Sequence, residues 1–304
     1  MTTRCAGFTI VLTVLIAPFD AAAQTLPRPP VLAGCPTENL AFHTCALQKA
    51  KTFDPPRTPS GRPDFQGYWR SLLTQSFTVE GVAPDDPLAT NPFQPWEAAP
   101  PEIVEPADRK IPYQPWAAPL GRRGAHFREY IDPRTTCSTG GIPRLSLQDA
   151  SQILQPATDD HVLWLHEDHH QFRVIAMAQR PAVGRDVKLW NGISRGRWEG
   201  NTLVVETTNL NGYVWMDDSG NFYTDTAHLT ERLTMIDADT IHYEVSIEDP
   251  TAYTRPWKVA WALVRETERG FELIEESCRE GERSLPRLRE AGLKFYFGAT
   301  WINR

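Results

Sequence analysis

The sequence has no basic stripe: 31 lysines and arginines are scattered among 38 aspartates and glutamates, for a formal net charge of −7. Recognition of nucleic acid or of an anionic membrane surface needs positive charge gathered on one face, so neither is an expected partner. Beyond the N-terminus no apolar run approaches the roughly 20 residues that span a bilayer, so no membrane association is expected of the mature chain. There is also no P-loop, no G-x-G-x-x-G fingerprint, no C-x-x-C pair and no EF-hand loop. The expected cofactor is therefore none, and a nucleotide-dependent or EF-hand function is set aside.

What is present begins with a secretory pattern. Arg4 precedes an apolar run from Phe8 to Pro18, and Ala21 and Ala23 supply a small-x-small cleavage site. Residues 1–23 read as a signal peptide, and the localisation expected is periplasmic or secreted. The tetrad from Leu32 to Cys35 spells a lipid-attachment box, but Arg28 and Pro27, Pro29 and Pro30 separate it from the apolar core, so lipidation is not expected. Loss of Cys5 with the signal leaves Cys35, Cys45, Cys137 and Cys278. In an oxidising compartment an even number suggests two disulfides; of the three pairings, the shortest staple, Cys35 with Cys45, leaves Cys137 with Cys278.

Twenty of the 26 prolines fall between Pro27 and Pro143, and five in the 161 residues after it. Proline removes a backbone donor and fixes φ, so residues 24–145 are expected to be an irregular wrapping or lid segment with one short helix near residues 38–50 and a first strand near 64–73. Its Trp96, Trp116, Phe127 and Tyr130 call for burial against something else. From residue 146 the hydrophobic period becomes two, as in "HYEVSIE" and "WKVAWALV". Further strands are expected at "SQILQPA", "HVLWLH", "FRVIAMA", "ISRGRWE", "TLVVETT", "HLTERLTMI" and "FELIEES", joined by turns such as "EGN" and "DAD". Eight or nine such strands without intervening helices imply an all-β fold over 146–304, an antiparallel up-and-down barrel of lipocalin or calycin type, because closure removes edges. A two-sheet sandwich is the alternative.

"HEDHHQ", from His166 to Gln171, contains H-E-x-x-H. A zinc peptidase needs both histidines on one helix face, whereas this polar block stands between "VLWL" and "FRVIAM", the pattern of a hairpin. No metal site is expected, and the turn is a candidate for overhanging a barrel mouth. In "HLTERLTMI" the residues on the apolar face are Leu229, Glu231, Leu233 and Met235. A carboxylate there is either a buried acid or base or half of an ion pair with Arg232, Arg173 or Arg197. The catalytic candidates are Glu231 as acid or base, His228 or His170 as its partner, and Arg173 to stabilise developing charge. Trp190, Trp198, Trp215, Trp257 and Tyr253 are the candidate ligand contacts, Trp215 above all because it sits in a long polar loop. Asp217 to Asn221 has too few alternating ligands to suggest calcium.

"PSGRPDFQGYWRS", "GISRGRWEGNTLVVETTN", "HLTERLTMIDADTIHYEVSIEDPTAYTRPW" and "EESCREGER" resemble signatures of a large group of secreted bacterial proteins of uncharacterised activity. The resemblance covers most of the mature chain and implies a secreted β-rich protein, without site residues to carry over. "GYW" (Gly67 to Trp69) is similar to the G-x-W start of lipocalins, which implies a tryptophan plugging the barrel base. The expectation is a cofactor-independent acid/base enzyme (lyase, isomerase or hydrolase) acting on a small apolar or aromatic molecule. The alternatives are a non-catalytic binding protein of lipocalin type and a structural β-domain. Oligomeric state is not legible.

Overall fold

A computed structural model describes residues 31–72, 78–86, 99–121, 130–147, 150–177, 180–181, 183–276, 278, 290, 292 and 294–295. The expected signal peptide, Trp96 and Phe127 lie outside these residues. Nine strands form the body: β1 Gly67–Leu72, β2 Ala150–Leu154, β3 His161–His166, β4 Phe172–Ala176, β5 Ile193–Glu199, β6 Thr202–Thr208, β7 His228–Asp237, β8 Thr240–Glu248 and β9 Trp257–Arg265. Each pairs with the next in sequence, and β9 pairs with β1, so the sheet closes into a barrel. The short strand Ile103–Glu105 adds to the free edge of β9.

The barrel is the fold that alternation implied, and one joint in it is parallel. Ile175 and Ala176 of β4 pair with Ser194 and Arg195 of β5 in the same direction. A closed ring of nine strands requires this, since antiparallel neighbours alternate in direction and an odd ring cannot close on alternation alone. The residues between β4 and β5 provide the necessary return, and Gly196 lets the strands approach: a Cβ there would meet Met177 Sδ at 2.4 Å and Ile175 Cγ2 at 2.8 Å. "FELIEES" forms no strand over its described residues, and Ile274 is 69% exposed. Its alternation has no neighbouring edge to pair with, because β9 is already flanked by β8, β1 and Ile103–Glu105.

The inward residues fill the barrel with large side chains. Trp69 of β1 is fully buried, its Nε1–H donates to Phe65 O (2.8 Å), and the Arg265 guanidinium lies 4.2 Å from its ring. Trp164, Tyr243, Trp257 and Trp261 continue the filling from β3, β8 and β9. The α-helix α1 Asn39–Lys49 is capped by Glu38, whose carboxylate accepts from Ala41 N at 2.9 Å. Phe42 and Ala46 of α1 pack outside the barrel against Ile236 and Ala262. The disulfide Cys35–Cys45 staples this helix to the chain before it, and Cys137–Cys278 ties the lid segment to the C-terminal tail, both as expected. Among the described residues no helix is long and apolar enough to cross a membrane.

Candidate functional site

Alternation along β7 puts Glu231 inside, and the same rule on β4 puts Arg173 there. Both side chains are essentially inaccessible, at 0% and 2% exposure. Arg173 Nη1 donates to Glu231 Oε1 (2.9 Å) and Nη2 to Oε2 (2.5 Å), a bidentate pair. The Tyr243 hydroxyl donates to Glu231 Oε1 at 2.6 Å, and Arg173 Nη2 also reaches Ser194 Oγ (3.0 Å) and Thr207 Oγ1 (3.4 Å). Burial opposes the charge on Arg173, but Glu231 outweighs it and the net shift is upward. Burial, and then the Glu231 charge, raise the Tyr243 hydroxyl well above its ordinary value. Glu231 is thus ion-paired, and Arg173, not Arg232 or Arg197, is its partner.

Around this network lie groups that are not saturated. Trp164 Nε1 and Arg173 Nε are buried with no hydrogen-bond partner, as are Nε1 of Trp257 and of Trp261, while the backbone of Leu145 faces His166 and that of Ile142 faces the Tyr223 hydroxyl. His166 stacks on Trp164 with ring centroids 5.1 Å apart, and the Arg173 guanidinium lies 5.6 Å from the Trp164 ring. Burial, helped by the positive charge of Arg173, depresses His166 to about 3, so its imidazole is neutral at neutral pH. Burial raises the Tyr223 phenol, which senses the charges of Arg173 and Glu231. Native interiors leave few polar atoms unpaired, so this collection at one barrel is unusual.

The irregular segment before β2 covers this end, with Leu145 against His166, Ile142 against Tyr223 and Ser146 against Tyr243. Ile142, Leu145, Ser146 and Leu147 are buried over it, and Leu147 O accepts from Ser71 Oγ at 2.8 Å. Arg144 anchors them: it is buried, and its guanidinium bonds Asp132 (Nη1 to Oδ1, 2.9 Å; Nη2 to Oδ2, 2.5 Å) and Asp218. Burial opposes its charge, yet the two aspartates raise its pKa further. Arg134 of the same segment clasps Asp168 with Nη2 2.6 Å from Oδ1.

The other candidates go elsewhere. His170 is exposed on the turn between β3 and β4, which confirms the hairpin, and it lines an outer cleft of about 410 Å³ with Glu167, Phe172 and Ile274. His228 is half-buried at the start of β7 opposite Glu248. Neither is hydrogen-bonded to Glu231. Trp215 is not a loop-surface contact but a core residue, 2% exposed, because its loop is folded inward. Asp217 organises that loop by accepting from the backbone N of Val79, Ser219 and Asn221 and from the side chains of Ser219 and Asn221, so a run of polar residues is buried at no cost in lost partners. Trp257 is inside, and Tyr253 packs edge-on against it (5.6 Å) while donating to Phe222 O. Trp198 stacks on Phe65 (5.6 Å) toward the Trp69 end, and Trp190 meets Tyr213 edge-on (6.0 Å).

Sequence reading missed His166, Trp164 and Tyr223. Period two in "HVLWLH" places Val162, Trp164 and His166 on one face and could have singled out His166, but the zinc-like spelling drew attention to the turn. No G-x-S-x-G nucleophile elbow was expected, yet Gly192-Ile193-Ser194-Arg195-Gly196 spells that pattern. That pentad runs into β5 instead of a strand-to-helix turn, and the Ser194 hydroxyl pairs with Arg173 and Thr207 (3.1 Å) and with no histidine, so it is no nucleophile elbow. No protein-family model matches the chain, and no curated protein or solved structure matches it either.

Proposed function

We propose that the protein is a secreted binding protein for a small apolar or aromatic molecule that carries one compact acceptor group, such as a carboxylate, taken up at the covered end of the side-chain-filled barrel once the segment over it opens. The observation that carries this reading is the set of unpartnered buried donors. Trp164 Nε1, Arg173 Nε and Nε1 of Trp257 and Trp261 offer hydrogen bonds, and an unmade buried bond costs about 1–3 kcal/mol, which a ligand oxygen would recover. Indole and phenol walls from Trp164, Trp257, Trp261 and Tyr243 supply the apolar contact. In this reading Glu231 is a positioning residue that holds Arg173, and the lid over residues 132–147 admits the ligand.

The test is quenching of tryptophan fluorescence on titration with aromatic carboxylates, their uncharged amides, and straight-chain fatty acids. One carboxylate series is expected to saturate at least about tenfold more tightly than the matching amide, a difference worth about 1.4 kcal/mol. His166→Phe and Trp164→Phe are expected to weaken it. If no compound in any series gives a saturable change, the reading fails.

Acid/base catalysis is the second reading, favoured by one observation: His166 is a buried neutral imidazole beside the Arg173 charge. The acid/base role then belongs to His166 and Tyr223 rather than to Glu231 with His228 or His170. It requires turnover of a bound compound that His166→Gln abolishes while Kd is kept; binding without turnover leaves the first reading.

A further inference from the structure

Outside the barrel, on the turn between β3 and β4, one donor atom each from Asp168, His169 and Glu276 come within 4.8 Å of one another. We infer that these three residues form a binding site for a divalent transition-metal ion, with one imidazole nitrogen from His169 and one carboxylate oxygen from each acid. The site lies outside the barrel interior and shares no side chain with the ligand site proposed there. It also departs from the expectation of no metal, and it uses His169, not the His166 and His170 that spell the peptidase motif.

Three observations support it. His169 Nδ1 is buried without a hydrogen-bond partner, on a side chain 8% exposed, and stands 3.6 Å from Asp168 Oδ1. Two ligands each about 2.1 Å from a tetrahedral zinc ion are about 3.4 Å apart, so that gap is already close to ligand spacing. Glu276 is fixed on the other side: its Oε2 accepts from the His169 backbone N, and its Oε1 is 3.8 Å from His169 Nε2. Arg134 holds Asp168, with Nε 2.9 Å from Oδ1 and 3.2 Å from Oδ2 and Nη2 2.6 Å from Oδ1. A carboxylate has about four acceptor positions, so this clasp orients Asp168 and leaves acceptor capacity chiefly on Oδ2. Two carboxylates against one guanidinium leave a net negative charge for a cation.

The donor set decides the class of ion. An imidazole with two carboxylates suits zinc and neighbouring first-row ions better than calcium or magnesium, which prefer all-oxygen shells. The cysteines Cys35, Cys45, Cys137 and Cys278 are paired in disulfides, so thiolate ligands from them do not compete. Because Glu276 lies two residues before Cys278, a bound ion would join the hairpin turn to the tail that the disulfide already ties to the lid.

The experiment is calorimetric titration of chelator-treated protein with Zn²⁺, with elemental analysis after dialysis and the visible spectrum of the Co²⁺ form. One equivalent per chain is expected. His169→Ala and Glu276→Gln should each weaken Zn²⁺ at least about tenfold and change the Co²⁺ spectrum; Glu276 is 40% exposed, so its variant is expected to fold, as circular dichroism will check. His43→Ala, which removes an imidazole from the separate His43–His242 pair, should leave binding unchanged. Failure of the wild type to take up stoichiometric Zn²⁺ overturns the site and leaves His169 as a bridge between two carboxylates. So does uptake that survives both site variants.

Discussion

At the scale of the residue, the decisive contact is the buried Arg173–Glu231 pair. Two fully buried charges are stable together because each satisfies the other, and removing one leaves the partner charged with its desolvation unmet. Glu231→Gln is therefore expected to cost about 3–5 kcal/mol in urea unfolding, whereas replacing both with apolar residues of similar size should recover much of the loss. Equal destabilisation in the single and double variants would show that the pair contributes by shape alone. The sequence made Glu231 legible through alternation, since a lone acid among Leu229, Leu233 and Met235 is a local contradiction. The partner was legible only as one arginine among several, because alternation turns Arg232 outward but nothing local fixes which of Arg173 and Arg197 points inward across a ring of strands. Trp215 was misread for a related reason: the polarity of its loop says where water could be, and Asp217 replaces that water with backbone N–H groups.

At the scale of the element, strands and turns were readable almost residue by residue from Ile193 to Arg265, because pleat alternation and tight turns leave local marks. The parallel β4–β5 joint was not, since direction is a property of the closed ring and not of either strand. The lid is the least legible element, being irregular by proline content and held by long-range pairs. Its covalent tie, Cys137–Cys278, spans 141 residues of sequence, so removing it frees a very large loop in the unfolded chain. Cys137→Ser with Cys278→Ser is expected to lower stability by about 2–5 kcal/mol and to speed ligand entry, if entry passes the lid. Denaturant midpoints measure the first effect and stopped-flow fluorescence the second. An unchanged midpoint would mean that the ion pairs of Arg134 and Arg144 hold the lid alone.

At the scale of the whole molecule, two buried imidazoles couple folding to pH. His166 inside the barrel and His242 outside it, under α1, are both depressed to about 3, by burial first and then by the charge of Arg173 and of His43 respectively. In the unfolded chain both return to about 6.5. Above that value neither state holds the protons and the histidines make no pH-dependent contribution. As pH falls below it, the unfolded chain binds protons that the folded chain refuses, so stability declines between about 6.5 and about 3. The slope approaches about 1.4 kcal/mol per pH unit for each histidine. His43, also lowered by burial, adds in the same direction. Glu38 and Glu199, whose values are lowered from 4.5, act only near and below that pH, so a fall between pH 6.5 and 5 belongs to the imidazoles. Urea midpoints should drop from pH 7 to pH 5, and His242→Asn should flatten part of the drop. If the wild type holds its midpoint across that range, at least one of these imidazoles is protonated in the folded state, and the barrel interior or the α1 contact is wetter than its packing implies.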